Sequence, residues 1–208
     1  MKEKIAQHKW KKLTASFYKR KDVVVIAKEL IGKILVTHFD KTITTGIIIE
    51  TEAYNGVVDK ASHSFGGRRT SRTKVMYANG GVAYVYLCYG IHHLFNIVTN
   101  EKDIPHAILI RGIAPIEGKE KMLARMKKTK WSKPFIQGPG NVSKALGIYT
   151  HHTGINLLHD EIFIVDNGII IPDKMIETTA RIGVDYAGDD ALLPYRFIIK
   201  EEWTGINH

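Results

Sequence analysis

The chain has little of what staples or clips a small fold. It carries one cysteine, Cys88, among 208 residues. No disulfide can therefore close within it, and a cysteine-based zinc cluster lacks its thiolates. No apolar run approaches the roughly 18 residues that a membrane-spanning helix needs. The opening MKEKIAQHKWKK is basic, but no apolar segment follows, so it does not read as a secretion signal. The expectation is a soluble cytoplasmic protein, nucleoid-associated if the source is bacterial. There is no GxxxxGK[ST] phosphate loop and no HxE…PCxxC signature of a zinc deaminase. His63 has no HxxxH or HxxE partner. His92–His93 and His151–His152 make poor chelates, because neighbours on a strand point opposite ways. No metal and no cofactor is expected. Repeats, low-complexity tracts and dividing linkers are missing too, so residues 1–208 are expected to form one domain.

What is present is positive charge. Thirty lysines and arginines against 21 acids give a net charge of +9. That excess favours polyanions, nucleic acid first and an acidic membrane surface second. The plain alternative is a lysine-rich surface that keeps the protein in solution. An apolar fraction of 44% suffices for a sizeable core.

Residues 1–12 read as a frayed basic arm, flexible to about residue 14, with Phe17 and Tyr18 pinning its end. Asp22 is a candidate N-cap for a helix over Val23–Leu30, stopped by Gly32. Strands are expected over Ile34–Phe39 and Gly46–Tyr54, joined by polar turn material at Asp40–Thr45. After the loop Val57–Thr70, a short helix falls near Ser71–Tyr77. Further strands are Val82–Tyr89, Leu94–Thr99 and Ala107–Ile113. Helices follow over Glu117–Lys128 and Asn141–Leu146, and late strands over Ile162–Asp166, Thr178–Val184 and Tyr195–Lys200. Short connections between the central strands point to a largely antiparallel sheet. The fold class is α+β: a single mixed domain with a curved, mainly antiparallel β-sheet and helices around it.

The chemistry gathers between Glu50 and Asn96. Period two on the second strand puts Glu50, Glu52 and Tyr54 on one face. Glu52 could activate water if its site were shielded. Arg111 lies in the apolar run ILIRGI and needs a buried or half-buried acid, Glu52 or Glu50. A purely structural ion pair is the competing reading. Tyr54, Tyr84, Tyr86 and Tyr89 crowd the same strands; aromatic planes beside a basic loop suit base stacking, although core filling is the commoner fate of a strand tyrosine. The run GGRRTSR, Gly66 to Arg72, offers arginines and free amides for phosphates, or is simply an exposed charged loop.

Taken together, ETEAY (50–54), ASHSFGGRR (61–69), YVYLCYG (84–90), Asn96, LIRGIAP (109–115), GPG (138–140) and ARIGVDYAG (180–188) stand in an order that resembles the alkyladenine (3-methyladenine) DNA glycosylases. The likeness covers roughly residues 15–200. It implies a base-excision repair enzyme that flips a damaged purine out of duplex DNA and hydrolyses its N-glycosidic bond, leaving an abasic site. By this resemblance Glu52 activates water and Arg111 helps to hold it. Tyr54 and Tyr86 stack on the flipped base, His63 closes the pocket, and Asn96 lines its floor, disfavouring the 2-amino group of guanine. A β-hairpin would enter the minor groove, with Tyr89 as a wedge flanked by Ile91 and His92. Arg68 and Arg72 match phosphate-contacting positions. The partner would be double-stranded DNA carrying damaged purines of the 3-methyladenine, 7-methylguanine, hypoxanthine and ethenoadenine class, bound by a monomer without lyase activity. The alternative is a noncatalytic nucleic-acid-binding module of the same fold; a hydrolase of free nucleosides is a third reading.

Overall fold

Isoleucine, valine and threonine crowd the stretch from Ile34 to Thr51, and residues branched at Cβ favour a pleated backbone. In the computed structural model, which describes residues 11–200 and Glu202, they form β2 (Ile34–Phe39) and β3 (Thr42–Tyr54). The turn between them is shorter than the expected Asp40–Thr45. Only Asp40 and Lys41 make it, with φ of 49° and 62°, the handedness that a two-residue hairpin demands. Thr42–Thr45 continue the strand, and Thr37 and Thr44 share a 2.6 Å hydroxyl hydrogen bond in the interior. A threonine run looks like a loop when only polarity is read; its branched Cβ decides otherwise.

The remaining strands are β1 (Lys11–Lys12), β4 (Val82–Cys88), β5 (His92–Thr99), β6 (His106–Glu117), β7 (Ile136–Gln137), β8 (Ile162–Asp166), β9 (Ile176–Thr179) and β10 (Arg196–Ile199). They join one curled sheet in the order β1-β8-β2-β3-β6-β5-β4, with β10 bridging β3 and β9, and β7 on β6. Every pairing is antiparallel. Helices α1 (Ala15–Tyr18), α2 (Val23–Glu29), α3 (Lys119–Met126) and α4 (Pro139–Leu146) surround it. The expected α+β domain is what the chain forms.

Asp22 caps α2 as its side chain accepts from the amides of Val24 and Val25 at 2.9 and 3.0 Å. The helix lies against β3, where the Thr51 hydroxyl donates to the Ala27 carbonyl at 2.9 Å. Burial of Ile26, Leu30, Ile48, Ile97, Ile108 and Ile110 builds the core there, each such side chain worth about 1.5–3 kcal/mol. With α2 covering one face of β3, the face bearing Glu50, Glu52 and Tyr54 is left for the site.

Three expectations need correction. Lys11 and Lys12 are not the end of a frayed arm: they pair with Val165 and Asp166 of β8, and Lys12 adds an ion pair with Asp160. Residues 1–10 of that arm lie outside the described residues. β6 runs on to Glu117, which pairs with Thr45, so α3 starts at Lys119 rather than at Glu117. The late strand expected over Thr178–Val184 ends at Thr179. Beyond it the chain leaves the sheet and turns back toward β3.

Candidate active site

β3 and β6 meet where two carboxylates and an arginine face each other inside the protein. A bulge on either side of Glu50 lets the ladder accommodate them. Opposite Glu50 stands Gly112, where a Cβ would come within 3.0 Å of the Glu50 side chain; the bare backbone makes room for the acid. Glu50 Oε1 accepts from Arg111 Nε at 3.0 Å and from Arg196 Nε of β10 at 2.7 Å. Glu52 is wholly enclosed. Its Oε1 accepts from the Ile182 amide at 2.8 Å and lies 3.3 Å from Arg111 Nε. Its Oε2 accepts from the Tyr54 hydroxyl at 2.8 Å and from Arg111 Nη1 at 3.4 Å. Burial pushes the Glu52 carboxyl above its ordinary pKa and the charge of Glu50 adds to this, while Arg111, the Ile182 amide and the Tyr54 hydroxyl pull the other way. Both acid partners foreseen for Arg111 are therefore used.

Beside this cluster opens a cavity of about 360 Å³. Tyr54, His63, Tyr86, Asn96 and Arg111 line it, together with Tyr84, Met76 and Leu109. The alternation of β4 points Tyr84 and Tyr86 to one side, their rings 5.5 Å apart. His63 packs edge-on against Tyr86 at 4.6 Å, and its Nδ1 is 2.8 Å from the Tyr84 hydroxyl. Burial, with Arg72 and Arg68 nearby, brings the His63 pKa down to about 4, so the imidazole is neutral near pH 7. Burial and the charge of Glu52 hold the Tyr54 phenol well above its ordinary value. Asn96 gives its Nδ2 to the carbonyls of Tyr84 and Leu94, both at 3.2 Å, which leaves Oδ1 as the atom it can offer a ligand. Glu52 sits directly behind the wall that Tyr54, Arg111 and Ile182 form.

At the mouth the β4–β5 hairpin projects. Tyr89 and Gly90 form its tip with φ of 49° and 73°, and the Ile91 amide closes the turn on the Cys88 carbonyl at 3.2 Å. Glycine is at ease there; tyrosine is not, and the left-handed backbone costs it about 1–2 kcal/mol. Tyr89 is 91% exposed and Ile91 70%. His92 is exposed as well and packs against Gly140. Arg68 and Arg72 are exposed on the loop facing the cavity and lack an acid partner among the described residues, whereas Arg69 between them pairs with Asp103 at 3.0 Å. No helix among the described residues is long and apolar enough to cross a membrane, and no cluster of three or more metal-ligating side chains occurs among them.

The structure thus gathers Arg111, Tyr54, His63, Tyr86 and Asn96 around one cavity with Glu52 behind its wall, puts Tyr89 and His92 on the lining with Ile91 between them in sequence, and leaves Arg68 and Arg72 exposed in the segment that follows His63. Residue-by-residue reading missed the loop after β9. Ile182 reaches Glu52 through its backbone amide, which no side-chain pattern reveals. Tyr186, which lines the mouth and donates to the Ala61 carbonyl at 3.1 Å, was visible only as an aromatic in an ordered motif.

Comparison with known proteins agrees with this geometry. Residues 16–203 match the family model described as Methylpurine-DNA glycosylase. A protein of Clostridium perfringens strain 13 is 42% identical over 198 residues, covering 91% of this chain and 96% of its own. One from Chlamydia felis is 44% identical over 189 residues, covering 90% and 96%. Both bear the name "Putative 3-methyladenine DNA glycosylase". With a buried acid beside an aromatic cavity and a match along nearly its whole described length, the chain belongs to the methylpurine-DNA glycosylase family.

Proposed function

We propose that this N-glycosyl hydrolase extrudes an alkylated or deaminated purine from duplex DNA into the cavity and hydrolyses its glycosidic bond with a water activated by Glu52. The observation that carries the reading is the enclosed Glu52 carboxylate, fixed by Arg111 and the Ile182 amide behind a pocket walled by Tyr54 and Tyr86. As the base departs, the sugar gains oxocarbenium character. A carboxylate in a water-poor site stabilises that charge and takes a proton from the incoming water. Tyr54 and Tyr86 offer faces on which an electron-poor purine stacks. In the tautomer whose Nδ1 accepts from the Tyr84 hydroxyl, neutral His63 keeps an N–H on Nε2 for the base or the sugar–phosphate.

In the free enzyme Tyr54 occupies Glu52 Oε2. We infer that its hydroxyl leaves that oxygen to the attacking water as its ring settles on the base. Tyr89 fills the vacated stack, Ile91 and His92 brace the flanking pairs, and Arg68 and Arg72 hold phosphates. Among the described residues no lysine lines the cavity, in keeping with hydrolysis by water rather than through an amine adduct. The enzyme acts as a monomer on DNA.

The test is release of 3-methyladenine, 7-methylguanine, hypoxanthine or ethenoadenine from duplex DNA by wild type and Glu52→Gln in single turnover. Loss of release in the variant is expected. Binding of damaged duplex by the wild type without any abasic product would instead favour a noncatalytic module.

A further inference from the structure

Behind the cavity wall lies an ion pair that excision chemistry leaves unused. Arg181 and Asp59 are 0% and 1% exposed at their side chains. Through Nη1 Arg181 donates to Asp59 and to the Ala53 carbonyl at 2.9 Å. Through Nη2 it donates to Asp59 Oδ1 and to the Asp190 carbonyl, both at 2.9 Å. Asp59 also accepts from the amides of Asn55 and Ala61, at 2.9 and 3.0 Å. The guanidinium lies over the rings of Tyr54 and Tyr195, 4.9 and 5.2 Å from their centres. One side chain thus ties together the end of β3, the loop leading to His63 and the loop after β9. The very next residue, Ile182, presents its amide to Glu52.

Burying two ions costs several kcal/mol each, and a well-packed apolar pair in the same space is often as stable or more so. Stability alone is therefore a weak reason for this arrangement. What a planar fork adds is direction, since a bidentate contact fixes the backbone beside it more tightly than packing does.

We propose that Arg181 and Asp59 are positioning residues for base excision: their pair holds the Ile182 amide on Glu52, so that the catalytic carboxylate keeps one orientation. The inference rests on the glycosylase reading of Glu52 and extends it to residues that touch neither water nor base. The groups facing Glu52 are Glu50 and Tyr54 from β3, Arg111 from β6, Tyr86 from β4, and Arg181; Asp59 reaches it through Arg181 and Arg196 through Glu50. Within that set, losing the Ile182 amide removes a contact that favours the anion. The acid limb of the rate profile must then move to higher pH. A pair that merely supported the fold would lower the melting temperature and leave the limb in place.

The experiment compares full-length wild type, Arg181→Lys, Asp59→Asn, Glu52→Gln and a core-destabilised control, Leu35→Ala, in single-turnover excision from a hypoxanthine or 3-methyladenine duplex across pH. Expected for Arg181→Lys and Asp59→Asn is a fall in the rate constant of about 10- to 100-fold with duplex affinity unchanged. The acid limb should rise by about half a pH unit or more, and Leu35→Ala should show no such rise. Wild-type rate and an unmoved limb in both variants, or a rate loss with the limb unmoved, overturns the positioning role while leaving the glycosylase reading intact. A wild type silent on every duplex, or a fully active Glu52→Gln, overturns that reading and this inference with it.

Discussion

The wall formed by β3 and β6 and the tip of the β4–β5 hairpin belong to one sheet, yet they are built on opposite terms. At the wall, three acids (Glu50, Glu52, Asp59) meet three arginines (Arg111, Arg181, Arg196) out of solvent, each contact directed by hydrogen bonds. At the tip, Tyr89 and Ile91 stand in solvent with no partner to fill, and Tyr89 is held in a backbone conformation that suits glycine. The wall gains order from burial; the tip gives up stability and keeps two large apolar side chains exposed. Such strain and exposure are expected where a surface is completed only by its ligand. The lesson is that removing the wall's cation should cost stability along with activity, whereas relaxing the tip should cost activity while adding stability.

The largest effect is expected at Glu52. Glu52→Gln should lower single-turnover excision by about 10³-fold without lowering the melting temperature. The sign follows from the raised pKa of the carboxyl. A raised folded-state value means that ionising the carboxyl costs stability, a cost that appears as pH rises through the folded pKa and that a neutral isostere does not carry. Calorimetry at pH 7 beside the excision assay checks both halves; a variant that is inactive because it is unfolded would break the comparison.

Arg111→Met should damage both properties. It leaves Glu50 with Arg196 alone and Glu52 without a cation in contact, costing about 3–5 kcal/mol in denaturant unfolding and about 10²-fold in rate. Tyr89→Gly should do the reverse of that on stability. Relief of the left-handed strain is worth about 1 kcal/mol in favour of the fold, while excision falls about tenfold for want of the plug. An equally active and more stable Tyr89→Gly would show that the tip does not enter DNA.

Smaller effects sharpen the picture. Tyr54→Phe keeps the ring and frees Glu52 Oε2, so excision should stay within about threefold of wild type. Loss of a contact that favours the anion should raise the acid limb of the pH–rate profile. Arg68→Ala should weaken duplex binding equally for all damaged bases and reduce the salt slope by about one.

Much of this is legible in the sequence. Periodicity placed Glu50, Glu52 and Tyr54 on one face, because a strand alternates and β3 is long and β-branched. An arginine inside an apolar run announced a buried acid. Ordered motifs picked out the cavity residues and the hairpin. Legibility ended where tertiary contacts override local signals. Thr42–Thr45 became strand by pairing with β2, and Lys11–Lys12 by pairing with β8. The segment after Thr179 read as a continuing strand, yet Arg181 drew it out of the sheet by bonding to Asp59 and to backbone carbonyls far along the chain. The Ile182 amide at Glu52 is a consequence of that excursion, and a backbone donor has no signature in side-chain types.

The central claim, that an enclosed carboxylate at position 52 drives hydrolysis in a water-poor site, is tested most directly by the pH dependence of single-turnover excision by wild type and Glu52→Gln on one damaged duplex. His63 is already neutral above about pH 4, so an acid limb above the ordinary carboxylate range that disappears in Glu52→Gln is the titration of Glu52. The account predicts that limb in the wild type, and in the variant a release about 10³-fold slower that lacks the limb. Release by Glu52→Gln at the wild-type rate, with the same limb, would contradict it.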